Sequence, residues 1–215
     1  MPNRTDLLNH LINRYDLKSY LEIGVQNPAQ NFDKIDCKQK FGVDPNENSG
    51  ATFIDTSDNF FEFIYPVMSP IDLVFIDGMH EAEQVKRDFL NALDGVNLSE
   101  SHPLFIVLHD CNPEKEEHTI VPRPTPTGHW NGDVYRFALW LTYGITHDKH
   151  SVSMVEPEDI VPPVVVDIDN GCLVFDVHKN VCFNNAEPMD IPWSEFDSHR
   201  KEYLNLISWN EFIRL

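Results

Sequence analysis

Residues 72–80 read DLVFIDGMH and residues 20–25 read YLEIGV, each an aliphatic run that stops at a carboxylate and a glycine. A strand buried on both faces of a parallel sheet reads as a continuous apolar run, and in open α/β sheets ligands sit just beyond the carboxyl ends of such strands. Two further runs have the same form, PLFIVLHD at 103–110 and the shorter FGVD at 41–44. The four ends carry Glu22 with Gly24, Asp44, Asp77 with Gly78, and His109 with Asp110. One edge of the expected sheet therefore collects carboxylates, a histidine and flexible backbone, which is the chemistry of a site and not of a core.

Working outward, helical and strand patterns alternate along the chain. Thr5 is expected to cap a helix whose apolar positions Leu7, Leu8, Leu11, Ile12 and Tyr15 follow helical spacing. A short helix is expected over 31–35, a further strand over 51–55, and a helix capped by Ser57 through Phe60, Phe61 and Ile64. Ala82, Val85, Phe89 and Leu93 form the apolar stripe of another helix, starting at His80 or Glu81, before the strand at 104–108. Strand, helix, strand repeated in this way implies right-handed crossovers and a doubly wound, mostly parallel α/β sheet.

The second half is expected to finish that sheet with an antiparallel edge. Residues 111–131 carry Pro113, Pro122, Pro124 and Pro126 without periodicity, and a connection of that length is usually functional, here a lid over the site. Asp133 is expected to cap a helix with Val134, Phe137, Ala138 and Leu141 on one face. A short strand at 152–155 precedes runs at 164–167 and 173–177 that flank Asn170-Gly171, a two-residue hairpin signal. Ser194 and Asp197 suggest a capping box opening a helical tail over 194–215, with Phe196, Tyr203 and Ile207 buried. Asp167-Ile168-Asp169 superficially resembles a glycosyltransferase metal motif, but it precedes the hairpin turn and lacks the other parts of such a site, and is discounted.

A chain of 215 residues buries roughly 70% of its unfolded surface on folding, enough for one core, so residues 1–215 are read as a single domain. The formal charge of −19 would be repelled by nucleic acid or an anionic membrane, leaving a small neutral or cationic molecule as the expected partner, although an acidic surface also serves solubility alone. No apolar run approaches a membrane span or a signal peptide, and a cytoplasmic location is expected. Cys37, Cys111, Cys172 and Cys182 are isolated and read as buried free thiols.

Taken together, Glu22-x-Gly24, Asp44, Asp77-Gly78-x-His80 and His109-Asp110 resemble the class I S-adenosylmethionine-dependent methyltransferases. The likeness is to the branch of macrocin-type O-methyltransferases and cephalosporin-hydroxylase-like proteins, where a strand ending Phe-Ile-Asp-Gly-x-His is typical, and it spans about residues 20–141. The resemblance implies a Rossmann-like fold, S-adenosylmethionine as cofactor and O-methylation of a small hydroxylated acceptor such as a saccharide. It places the ribose on Asp44, close backbone approach at Gly24, the methionine portion over Glu22, and the adenine near Thr56, Ser57 and Asp58. Asp77, at the end of the strand that carries the family signature, joins the cofactor residues. Asp44 could instead cap a turn, and Ser57 a helix.

Methyl transfer to a hydroxyl needs alignment and loss of a proton, and His109, Asp110 and His80 are the candidate catalytic residues, an imidazole titrating near neutral pH. The same related enzymes use magnesium, which implies Asp77, His80, His109 and Asp110 as candidate ligands. Asp77, His80 and His109 as a facial triad would instead mean an iron-dependent oxygenase. Trp130 would offer a flat face to an acceptor, or else anchor the loop. Pro28 stands where the family has a second glycine; it lacks an amide hydrogen, so Asn27 is expected to supply the left-handed turn residue. A chain that had lost cofactor binding through this loop would remain as a binding module.

Overall fold

In the computed structural model the protein is described over residues 1–94, 104–145, 161–180 and 187–215. The central strands are β1 (Ser19–Ile23), β2 (Gln39–Val43), β3 (Leu73–Ile76) and β4 (Phe105–Leu108). β1 pairs in parallel with β2 and β3, and β3 in parallel with β4. Strands β5 (Val164–Val166), β6 (Cys172–Asp176) and β7 (Leu206–Ile207) complete the seven-stranded order β2-β1-β3-β4-β6-β5-β7. β6 runs antiparallel to both β4 and β5, which gives the expected antiparallel edge.

The two-residue period of the strands divides the core in two. Leu21, Ile23, Val74, Ile76, Ile106 and Leu108 face one layer, which is completed by α2 (Ser57–Phe63), α3 (Ala82–Asp94) and α4 (Val134–Leu139). Phe89 of α3 meets Phe137 and Phe175 at ring-centroid distances of 5.4 and 5.0 Å there. Tyr20, Leu73, Phe75, Phe105 and Val107 face the opposite layer, against Leu7, Leu8, Leu11 and Ile12 of α1 (Arg4–Tyr15). With both faces covered, β3 and β4 are buried at every residue, the reason they read as unbroken apolar runs.

Several local expectations are corrected. Residues 51–55 form no strand; Phe53 makes one parallel bridge to Val43, and the Thr52 hydroxyl takes the Gly42 amide that a ladder partner would have used. Asn3, not Thr5, caps α1 in a capping box with Asp6, while Thr5 turns inward and donates to Asn31 Oδ1 at 2.8 Å. Thr56, not Ser57, caps α2. Residues Phe32–Lys34 form one 3₁₀ turn.

Asp133 does not cap its own helix; its Oδ1 accepts the Ala82 amide at 2.7 Å and so caps α3. The β5–β6 connection is not a two-residue turn, because Asp169 joins Asn170 and Gly171 in left-handed conformations and lengthens it to residues 167–171. The tail helix α5 (Trp193–Tyr203) starts after Pro192, whose ring offers no capping acceptor, so Ser194 lies inside the helix; Asp197 pairs with Arg200 at 2.7 Å, and α6 (Trp209–Phe212) follows β7. Cys111 and Cys172 are buried free thiols and Cys37 a half-buried one. The expected strand at 152–155 and Cys182 lie outside the described residues. Among the described residues no helix is long and apolar enough to cross a membrane.

Candidate functional site

The parallel register brings the ends of β1, β2 and β3 to one cavity of about 530 Å³. Glu22, Gly24, Asp44, Ser57 and Asp77, the five residues singled out for cofactor binding, all line it. Arg4, Gln26, Asn31, Met79 and Gln84 line it too, and no motif marked them as site residues.

Gly24 has φ +91°, and a Cβ there would lie 2.3 Å from the Asp77 carbonyl oxygen. Its missing side chain therefore lets β1 and the end of β3 close together at the edge of the cavity that Gly24 lines. Asp44 is buried, with Oδ2 accepting the Gln26 amide at 2.7 Å and Oδ1 the Asn46 amide at 2.8 Å. It thus braces two loops while facing the cavity. Gln26, at φ +48°, supplies the left-handed residue expected of Asn27, and Pro28 packs toward Gly50.

Glu22 sits at the floor, its Oε2 accepting from Tyr20 Oη at 2.6 Å and Asn31 Nδ2 at 2.9 Å. Burial pushes its carboxyl up to about 7 against the pull of these two hydrogen bonds. Ser57, freed from capping, accepts from Gln84 Nε2 at 3.2 Å at the opposite end.

Beside the cavity, Asp77 opens a network of charges. Its Oδ1 lies 3.0 Å from His109 Nδ1 and 3.6 Å from His80 Nε2, and its Oδ2 lies 3.7 Å from Arg4 Nε. Burial opposes the Asp77 charge, but His109 and His80 outweigh it and hold the carboxyl well below the usual range. His109 is buried, and its Nε2 is 3.7 Å from Asp169 Oδ2. Burial opposes its charge as well, yet Asp77, Asp110 and Asp169 raise it well above an ordinary imidazole. A general base needs an open lone pair facing the acceptor, so a buried imidazolium ringed by carboxylates speaks against the expected base role of His109.

His80 is more open, with Nδ1 3.1 Å from Asp110 Oδ2. That nitrogen makes no hydrogen bond, because the contact is close but out of line. Asp110 takes a left-handed φ of +59°, a costly backbone for a residue with a side chain, and Asn131 Nδ2 holds its Oδ1 at 2.6 Å. One donor atom each from Asp77, His80 and Asp110 lies within 4.8 Å of the others. Two carboxylates and one imidazole whose Nδ1 is buried and unpartnered fit a divalent cation. The oxygenase expectation needed His109 as third ligand; its Nδ1 is turned to Asp77, and Asp110 stands in the set instead.

Residues 111–131 come back over His80. The Trp130 indole stacks on the His80 ring at 5.2 Å, its Nε1 donates to the Ile120 carbonyl at 2.8 Å, and the Arg123 guanidinium lies over the indole at 5.3 Å from its centroid. Gly132 presses so closely that a Cβ would lie 1.7 Å from the His80 carbonyl oxygen. Asp169, discounted as part of a metal motif, belongs to the network through Arg4 and His109.

The doubly wound sheet, with its carboxyl edge at the cavity and its antiparallel flank, is a Rossmann-like architecture. Neither a protein-family profile nor a curated protein matches the sequence. Among solved structures the chain is similar to a protein from Staphylococcus aureus assigned as a caffeoyl-CoA O-methyltransferase, at 14% identity and a TM-score of 0.44, covering 82% of this chain and 84% of that one. It is also similar to the mycinamycin-pathway methyltransferase MycE solved with Mg, SAH and mycinamycin VI, at 14% identity and a TM-score of 0.48 over 93% of this chain. A second MycE structure, with Mg and SAH, gives 16% identity and a TM-score of 0.46 over 89%. The chain spans 56% and 53% of the length of these two MycE chains.

Proposed function

We propose that this protein is an S-adenosylmethionine-dependent O-methyltransferase acting on a small hydroxylated acceptor such as a saccharide, with residues 1–215 forming one catalytic unit. The observation that carries the reading is the convergence of Glu22, Gly24, Asp44, Ser57 and Asp77, from four separate stretches of chain, on one cavity beside the Asp77, His80 and Asp110 cluster. In this reading Asp44 accepts hydrogen bonds from the ribose diol with the lone pairs left free by its two backbone partners. Ser57 borders the adenine, and Glu22 and Asp77 face the amino-acid portion.

Asp77, His80 and Asp110 would hold a divalent ion such as magnesium, which when bound would polarise the acceptor hydroxyl and ease loss of its proton. The chain's own part is positional. His109 keeps its proton and fixes Asp77 and Asp110, Asn131 orients Asp110, and Trp130 with the loop 111–131 closes over His80 to exclude water from the reacting centre. The tail from 194 onward adds β7 to the sheet beside β5 and packs Phe196 against Tyr135.

Calorimetric titration with S-adenosylhomocysteine, with and without magnesium, tests this reading. Saturable binding at one site supports it, and a metal-dependent rise in turnover on a panel of hydroxylated acceptors supports the role of the cluster. A protein that binds neither adenosyl ligand nor metal would instead be a non-catalytic binding module.

A further inference from the structure

We propose that Arg4, the first residue of α1, binds the α-carboxylate of the cofactor's amino-acid portion. This rests on the reading of the cavity as an S-adenosylmethionine site and adds to it the residue that recognises the zwitterionic end. Among the described residues Arg4 is the only cationic side chain lining the cavity, against five carboxylates at Glu22, Asp44, Asp55, Asp58 and Asp77. A phosphate-bearing or dianionic ligand would be repelled there. A molecule with one carboxylate and one ammonium is accommodated only if its carboxylate goes to Arg4.

The guanidinium is already held for that task. Asp169 Oδ2 accepts from Arg4 Nη1 at 3.1 Å and from the Arg4 backbone amide at 3.3 Å, and the Asn3 capping box fixes the start of the helix that carries it. The Nε edge is left open. Arg4 Nε is buried and makes no hydrogen bond, its nearest carboxylate oxygen, on Asp77, lying at 3.7 Å and beyond hydrogen-bond reach. An unsatisfied buried donor on a charged group is costly, and the planar fork of arginine matches a carboxylate along one edge. A carboxylate entering the cavity satisfies that donor, while Glu22 and Asp77 remain for the ammonium.

The test compares three ligands by calorimetry on the full chain: S-adenosylhomocysteine, its decarboxylated analogue, and 5′-methylthioadenosine, which lacks the amino-acid portion. The wild type is expected to bind S-adenosylhomocysteine roughly 10- to 100-fold more tightly than the decarboxylated analogue, the range of a charge-assisted hydrogen-bonded pair. Arg4→Gln is expected to remove that difference and leave methylthioadenosine affinity unchanged, and Arg4→Lys to keep part of it. Equal affinity of the wild type for the carboxylate and decarboxylated ligands overturns the proposal without any variant, as does an equal loss of all three ligands in Arg4→Gln. A wild type that binds none of the three overturns the cofactor reading itself, and this assignment with it.

Discussion

The rings of Trp130 and His80 lie parallel within 8° at a centroid distance of 5.2 Å, so the end of the long proline-bearing loop rests directly on a member of the charged cluster. The same indole donates to Ile120 within the loop, which makes Trp130 both the contact and the internal brace. Trp130→Ala is therefore expected to release the loop. Losing one stack and one hydrogen bond, about 1 to 2 kcal/mol, corresponds to roughly a 10-fold rise in loop opening. Tryptic cleavage after Lys115 measures it, since proteolysis follows the open population. Wild-type cleavage rates in the variant would show that other contacts hold the loop.

Asp44→Ala is expected to weaken S-adenosylhomocysteine binding by about 2 kcal/mol, the scale of charge-assisted hydrogen bonds to a diol. It should also cost about 1 to 2 kcal/mol of folding stability, because the Gln26 and Asn46 amides lose their acceptor. Asp44→Asn separates the two effects by retaining one oxygen. Unchanged affinity in a folded Asp44→Ala protein would remove Asp44 from the ribose assignment.

Glu22 gives a pH dependence of stability with a defined sign. Its carboxyl is raised from the ordinary 4.5 to about 7 in the folded protein, so between those values the folded state binds a proton that the unfolded state has lost. The cost of burying the charge is absent below pH 4.5 and complete above pH 7, reaching about 3 kcal/mol. Glu22→Gln should thus gain stability relative to the wild type as pH rises from 5 to 8. Urea unfolding at the two pH values reads the difference, and Asp88, raised to about 6, cancels because both proteins carry it. A pH-independent gap between the two proteins would contradict the assignment.

What was legible in the sequence were features that depend on one element at a time. β1, β3 and β4 read directly because burial on both faces demands unbroken apolar runs, and their ends delivered Glu22, Asp77, His109 and Asp110. Arg4 and Asp169 were not legible as a pair. They stand 165 residues apart and meet only when α1 packs beside the β5–β6 turn. The strand expected at 51–55 failed for a local reason of the same kind, a Thr52 hydroxyl replacing a ladder bond. The role of His109 could be judged only from its surroundings, since a histidine beside an aspartate reads alike whether it faces solvent or three carboxylates.

His109 decides between those surroundings and catalysis. Its Nδ1 lies 3.0 Å from Asp77 and 3.4 Å from Asp110, its Nε2 3.7 Å from Asp169, and its side chain is 4% exposed. Removing the cation leaves three carboxylates facing one another in a confined space, with Arg4 and His80 to offset them. Breaking a buried charge cluster by deleting one partner typically costs about 3 to 5 kcal/mol. His109→Ala is therefore expected to lose stability on that scale, and His109→Asn somewhat less, because its amide can still donate to Asp77 without neutralising it. S-adenosylhomocysteine affinity should fall in both, as Asp77 loses the partner that orients it. A residue acting only as a base would behave differently, leaving urea unfolding and ligand affinity at wild-type values while turnover alone declined. That pattern would return His109 to the acid–base chemistry and leave the three carboxylates to be held by Arg4 and the cluster's own hydrogen bonds.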